Sequence, residues 1–204
     1  MDKQIKNIVF DFGGVLMDLD FENCRREFRM AGFKDVEQYT NIYQGSSFFK
    51  DFETGMISAD QFRQEIKRRI EQPLSDEEVD ALWLKMLKYI PAEKIDLLLE
   101  LRKHYMVYLL SNTNEIHWQY VSTLRYGRRR FRISDFFEKM FLSFEMKMAK
   151  PDTRIFEAML NDANLVPEET LFIDDSAVNC HAAASLGIGV HHYQRGEDLS
   201  QIFK

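Results

Sequence analysis

The sequence predicts an α/β fold: a Rossmann-like, three-layer core around a parallel sheet, with an inserted α-helical cap. Three observations carry this expectation. From Pro91 onward, helical and strand patterns alternate, the signature of a parallel sheet covered on both faces. An apolar strand, Ile8-Val9-Phe10, stands far upstream of that alternating half; alone it could neither satisfy its backbone nor bury both faces, so it must join the same sheet. Between the two, residues 21–89 repeat apolar residues every three or four positions, with no convincing strand among them. A chain of 204 residues, 45% of them apolar, suffices for one full core, or for one core and an accessory lobe.

The first strand ends on Asp11 and enters a turn through Gly13-Gly14. A crossover to a parallel neighbour needs about a dozen residues. The gap from Leu16 to Met106 is far longer, so it holds a crossover helix and a cap above the strand tips. The expected division is residues 1–16 and 90–204 for the core and 17–89 for the cap. Within the cap, Ser58 with Gln61 and Ser75 with Glu78 are capping-box helix starts. Phe48-Phe49 and Phe52 read as the interior of this lobe, with a substrate-facing position for one of them as the alternative. The second half then predicts helix 92–103, strand 106–110, helix 115–124, strand 139–143, helix 153–163, strand 170–173, helix 177–186 and strand 188–192.

A formal net charge of −6 supplies no basic field for nucleic acid or anionic membrane. The run Arg125-Tyr126-Gly127-Arg128-Arg129-Arg130-Phe131-Arg132 mixes basic and aromatic residues, but on an acidic chain it reads as a solvated loop or local anion contact. No apolar signal core opens the chain, and no apolar run reaches the roughly 18 residues of a membrane span. Cys24 and Cys180 lack paired-ligand spacing, which suits reduced thiols and a cytoplasmic protein. No internal repeat is evident.

Four strand ends share one edge of the expected sheet: Asp11, Ser111-Asn112-Thr113-Asn114, Lys150-Pro151 and Asp174-Asp175. A carboxylate at a strand tip beside a flexible turn is placed as a nucleophile would be. Each group also has a plainer reading. Asp11 could be a turn residue, Asp174-Asp175 a helix N-cap pair, and Ser111 a cap for the next helix. Lys150 could lie in a solvated loop, with Lys147 as the alternative amine. Gly13-Gly14 is not a nucleotide-binding loop, because no Gly-Lys-Ser/Thr follows. His191-His192, without further ligands, makes a poor metal site, and His117 reads as a packing or surface residue.

In order and chemistry these strand ends resemble the haloacid dehalogenase superfamily of aspartate-nucleophile hydrolases, most of whose members are phosphatases. The resemblance spans nearly the whole chain, and Phe52-Glu53-Thr54-Gly55-Met56-Ile57-Ser58 looks like a segment that recurs in the family's helical caps. It implies Asp11, Lys150 and Ser111 as catalytic residues. It implies Ser111, Asn112, Gly13, Gly14 and Lys150 around the phosphate, and Asp11, Gly13 (through its carbonyl), Asp174 and Asp175 around Mg²⁺. The chemistry suits these types, since a carboxylate attacks an anionic phosphate only when a cation screens their repulsion. Lys150 would neutralise remaining charge, and the Ser111 hydroxyl and turn N–H groups would bind phosphoryl oxygens. The implied partner is a small phosphorylated metabolite, bound by a monomer or homodimer.

One position departs from the family pattern, which carries a second Asp two residues after the nucleophile as general acid and base. Here that position is Gly13. Its carbonyl can still bind metal, but acid/base help of roughly 10² to 10⁴ in rate is lost. Slow turnover, or a leaving group that departs with little protonation, follows. A glucose-1-phosphate phosphatase branch resembles this chain in its Asp-x-Gly start, its Ser-Asn-Thr-Asn segment and His117, which favours an anomeric phosphate. Asp18 or Asp20 would serve as substitute acids if the turn folds back. Two rivals stand beside this reading: a 2-haloacid dehalogenase-like hydrolase, which needs no leaving-group acid, and a noncatalytic ligand-sensing or interaction protein on the same fold.

Overall fold

The computed structural model describes residues 4–40, 47–70 and 72–203. Its strands are β1 (Asn7–Phe10), β2 (Met106–Ser111), β3 (Lys139–Leu142), β4 (Thr170–Asp174) and β5 (Gly189–His192). The inserted segment carries α1 (Phe21–Met30), α2 (Glu37–Thr40), α3 (Phe48–Glu53), α4 (Ala59–Lys67) and α5 (Asp76–Leu84). Alternating with the later strands are α6 (Ala92–Leu101), α7 (Glu115–Thr123), α8 (Ser143–Met146), α9 (Thr153–Asp162) and α10 (Ala177–Ala184).

Every residue of β1 is buried, and the strand takes partners on both edges. The sheet order is β3-β2-β1-β4-β5, and all four pairings are parallel. Because side chains alternate along a strand, β1 feeds two cores. Ile8 and Phe10 join Val107, Leu109 and Ile173 beneath Ile95 and Leu98 of α6 and Val121 of α7. Val9 joins Tyr108, Leu110 and Phe172 beneath Ile155 and Phe156 of α9 and Ala183 of α10. The result is the expected three-layer arrangement.

The inserted helices build an aromatic interior of their own around Phe28, Phe33, Phe49, Phe52, Phe62 and Trp83, with Phe52 stacked on Phe62 at 4.3 Å. Ser58 and Ser75 form the capping boxes expected of them. Two antiparallel segments lead in and out of this lobe. The Asp18 N–H donates to the Tyr89 carbonyl at 3.0 Å, and the Asp20 N–H to the Met86 carbonyl at 2.8 Å.

Helices expected to reach 103 and 186 stop at Leu101 and Ala184, where Arg102 and Ser185 cap them and the chain tightens into i→i−3 turns. Ser143, expected to end a strand, instead opens α8, and its hydroxyl accepts the Thr113 N–H at 2.9 Å. In the basic run, Tyr126 is buried and packs with Phe131 around Phe136. Its aromatics are therefore spent on the interior and offer no stacking platform for bases. Cys24 and Cys180 are free and buried, and burial pushes their thiols up, to about 12 and about 11. Among the described residues no helix is long and apolar enough to cross a membrane.

Candidate active site

The chain steps outward from β1 to β2 and β3, then returns to the opposite side of β1 with β4. Ligands of open α/β sheets bind in the crevice that such a reversal opens at the strand ends. Asp11 directly follows β1 and Asp174 ends β4, so both stand at that crevice. Lys150 reaches between them. Its ammonium donates to Asp11 Oδ1 at 2.7 Å, to Asp174 Oδ2 at 2.7 Å and to the Leu110 carbonyl at 2.9 Å, which uses all three of its protons. The three side chains are 10%, 0% and 1% exposed for Asp11, Asp174 and Lys150, so this charge network is shielded from water. Burial pushes the Asp11 carboxyl up to about 7 against the pull of Lys150. For Lys150, burial acts downward, but the carboxylates outweigh it and hold the ammonium above its usual range.

Asp11, Asp174 and Asp175 each offer a carboxylate oxygen within 4.8 Å of the others. Their three negative charges against one ammonium leave two uncompensated, the charge of one divalent cation. Hard oxygen donors suit magnesium, so the residues present fit that ion. The three acids are not equivalent, however. Asp174 Oδ1 accepts from the Ser176 N–H and Asn179, and Oδ2 from Lys150 and Asn179. Three donor groups hold this carboxylate, the Asn179 amide bridging both oxygens, so Asp174, read from the sequence as a metal ligand, also anchors Lys150 within the carboxylate cluster. Asp175 is exposed and has no ion pair among the described residues. Partial desolvation of its carboxyl against the neighbouring backbone and the charge of Asp174 raise its pKa. The Gly13 carbonyl accepts no hydrogen bond among the described residues, which leaves Asp11, Asp175 and Gly13 as the open donor set.

A model of the haloacid dehalogenase-like hydrolase family matches residues 5–187. The chain belongs to this family. It is 35% identical over 197 residues to a D-ribitol-5-phosphate phosphatase of Bacteroides thetaiotaomicron, covering 97% of this chain and 96% of that protein. A Bacteroides thetaiotaomicron HAD family enzyme, solved with magnesium and inorganic phosphate, superposes with a TM-score of 0.92 at 46% identity, over 98% of this chain and 100% of that one. A predicted HAD-like family hydrolase of Porphyromonas gingivalis gives 0.91 at 36% identity, over 98% and 97%.

In this hydrolase the turn after Asp11 is shaped by Gly14, which holds φ +88° and faces Asp175: a Cβ there would collide with Asp175 Oδ2. The Gly14 N–H, expected to bind phosphate, donates to the Met17 carbonyl at 2.8 Å. Donors left open at the strand tips are the N–H groups of Phe12, Gly13 and Asn112, which have no acceptor among the described residues. Gly14→Ala is therefore expected to weaken Mg²⁺ binding at least about 10-fold, from strain of roughly 1–2 kcal/mol at a left-handed position plus displacement of Asp175. Calorimetric titration with Mg²⁺ checks this; unchanged affinity would remove Asp175 from the metal set.

Ser111 closes β2 and is buried, and among the described residues its hydroxyl is held only by a 3.5 Å contact to the Asn112 carbonyl. Asn112 departs from its expected use. Its amide donates to the Lys150 carbonyl and accepts the Lys150 N–H, both at 2.9 Å, so it clamps the backbone that carries the ammonium. Lys147, the alternative amine, points away and donates to the Gly55 carbonyl of the cap at 2.6 Å. Asp20 caps α1, and its carboxylate is held low chiefly by the Asn23 N–H, while Asp18 pairs with Lys94 at 3.7 Å. Both substitute acids are thus engaged elsewhere.

His117 is buried between core and cap. It stacks on Trp83 at 4.6 Å, bonds the Trp83 carbonyl at 3.2 Å and meets the Asn114 amide at 3.2 Å. Burial drives its pKa down to about 4, so it is a neutral packing residue. His192 comes closer to the site than its sequence position suggested. In register with Asp174 across β4 and β5, its ring lies 3.1 Å from the Asp175 carbonyl. That proximity is a property of sheet register and has no local sequence signal.

Proposed function

We propose that this hydrolase is a magnesium-dependent phosphatase of small phosphorylated sugars or polyols, acting through an aspartyl-phosphate on Asp11. The observation that carries this reading is the buried Asp11–Lys150–Asp174 relay facing the open Asp175 carboxylate. The phosphatase and magnesium named for its relatives support it. Lys150 holds Asp11 through Oδ1, fixing the carboxylate for attack. An Asp11 oxygen bonds to phosphorus as the bond to the leaving oxygen breaks, and water then attacks phosphorus to release Asp11. The Ser111 hydroxyl and the free N–H groups of Phe12, Gly13 and Asn112 donate to the phosphoryl oxygens. When bound by Asp11, Asp175 and the Gly13 carbonyl, magnesium would supply the charge screening that lets a carboxylate approach a phosphate dianion.

Gly13 brings no acid, and a Cβ there would lie 2.8 Å from Leu19 Cδ1, so a leucine fills the space such a side chain would use. Leaving-group protonation is left to substrate or solvent, and turnover is slow or confined to esters that leave readily. Hydrolysis of phenyl phosphate, glucose 1-phosphate and D-ribitol 5-phosphate, with Mg²⁺ and with chelator, tests this. Metal-dependent release of phosphate, faster for the better leaving groups, is the expected result. No turnover of any ester by protein that binds Mg²⁺ would overturn the phosphatase reading, and would favour a binding role for the same pocket. Equal rates across the series would overturn the acid deficit alone.

A further inference from the structure

Glu53 is the last residue of α3 and lies where the cap presses on the core. The Ser143 hydroxyl sits 2.6 Å from the Glu53 carbonyl and 3.0 Å from the Thr113 carbonyl, so one side chain ties the cap to the ends of both β2 and β3. Two residues on, Gly55 adopts φ +62°, and a Cβ there would collide with the Phe144 carbonyl; the cap backbone rests directly on α8. Phe49 and Glu53 stand four residues apart on one face of α3. Phe49 points into the cap interior against Phe28, Phe62 and Trp83. Continuing along that face from the cap interior toward the strand ends brings one to Glu53.

Its carboxylate is half-buried and has no hydrogen bond or ion pair among the described residues, unlike the acids of the catalytic relay. Burial alone pushes it up to about 7, with no neighbouring cation acting against it. An enclosed polar group without a partner is costly to a fold, and such costs concentrate where a ligand completes the bonding. Clefts of about 210 and 270 Å³ open along the same seam, lined by the neighbours of Glu53 and not by Glu53 itself: one by Phe52 and Gly55, the other by Lys50, Thr54 and Lys150. By strand spacing, the β3 end lies roughly 10 Å from Asp11. That separation is longer than a phosphoryl group and within the span of an extended polyol phosphate.

We infer that Glu53 is a specificity residue, whose carboxylate accepts hydrogen bonds from hydroxyls on the leaving group of a phosphorylated sugar or polyol. Both carboxylate oxygens are acceptors, so adjacent hydroxyls can be read together, and an apolar leaving group would leave the carboxylate unpaired. The inference rests on the phosphatase reading and adds a determinant to it.

Steady-state kinetics with Mg²⁺ on D-ribitol 5-phosphate and phenyl phosphate, for the native protein, Glu53→Gln and Glu53→Ala, tests it. The ratio of kcat/KM for the ribitol ester to that for the phenyl ester is expected to fall about 10- to 100-fold in Glu53→Ala, mainly through KM, and less in Glu53→Gln, which keeps one acceptor. Neither variant should lose Tm, because nothing in the chain pairs with the charge removed. The native protein should also prefer the ribitol ester over propyl phosphate, a comparison that needs no variant. An unchanged ratio, an equal fall for both esters, or no native preference over propyl phosphate would overturn the role of Glu53. A native protein that hydrolyses no ester would overturn it together with the phosphatase reading.

Discussion

Asp11→Asn is expected to abolish turnover, by about 10⁴-fold or more, and at the same time to raise the Tm of the metal-free protein. The first effect follows from removing the nucleophile. The second follows from charge. Without a metal, the site holds three carboxylates and one ammonium, and burial holds the Asp11 carboxyl at about 7, above its ordinary 3.8. A carboxyl whose folded pKa is raised stabilises the fold below its unfolded pKa, and that contribution is lost as pH rises through the folded value. The gain in Tm from asparagine should thus be absent near pH 4 and largest above pH 7. Added Mg²⁺ reverses the order, since a cation that binds only the folded native site stabilises it by mass action. Thermal unfolding of both proteins at pH 4, 6 and 8, with Mg²⁺ and with chelator, reads all of this. An Asn variant less stable than the metal-free native protein at pH 8 would show that Asp11 is a structural partner of Lys150 first.

The second large effect is expected at Lys150. Among the described residues Lys150 is the only cation in contact with Asp11 and Asp174, so Lys150→Met leaves two buried acids facing each other beside Asp175. Breaking a buried pair by removing one partner costs about 3–5 kcal/mol, and the Leu110 carbonyl also loses its donor. Turnover should fall with stability. The Asn112 clamp bonds the backbone of residue 150, so it survives the substitution and the loop keeps its path. Arginine should not substitute for lysine here. The ammonium is 1% exposed, lies 5.3 Å from the Phe172 ring and aims its three protons at Asp11, Asp174 and the Leu110 carbonyl, a point-charge arrangement that a larger planar guanidinium does not reproduce. Urea unfolding at neutral pH checks the magnitude; a loss under about 1 kcal/mol would mean the acids relax into water without their cation.

Much of this architecture was legible because the signals are local. Alternation of periods two and three to four marked the strands and helices, and Ser58 and Ser75 announced their helices through residues three positions away. The strand-end groups were also legible as a set. A parallel sheet brings its strand ends to one edge whatever the detailed packing, so Asp11, Ser111, Lys150 and Asp174-Asp175 had to be neighbours once the alternation was accepted.

What each of those residues does at that edge was decided elsewhere. Asp174 and Asp175 are adjacent and chemically identical, yet Ser176, Asn179 and Lys150 bind one and leave the other open. Asn112 is taken by a backbone 38 residues away, and the Gly14 N–H by a carbonyl inside its own turn. Leu19 stands over Gly13, and Glu53 arrives from an inserted lobe through a bond to a serine 90 residues downstream. By itself the sequence determined the periodic pattern, the helix starts and the residue types at the strand ends, because chain geometry imposes these within a few residues. Only the tertiary structure decided which lone pairs and protons remain free, because hydrogen-bond partners in a folded chain are set by sheet register and by how the cap is seated.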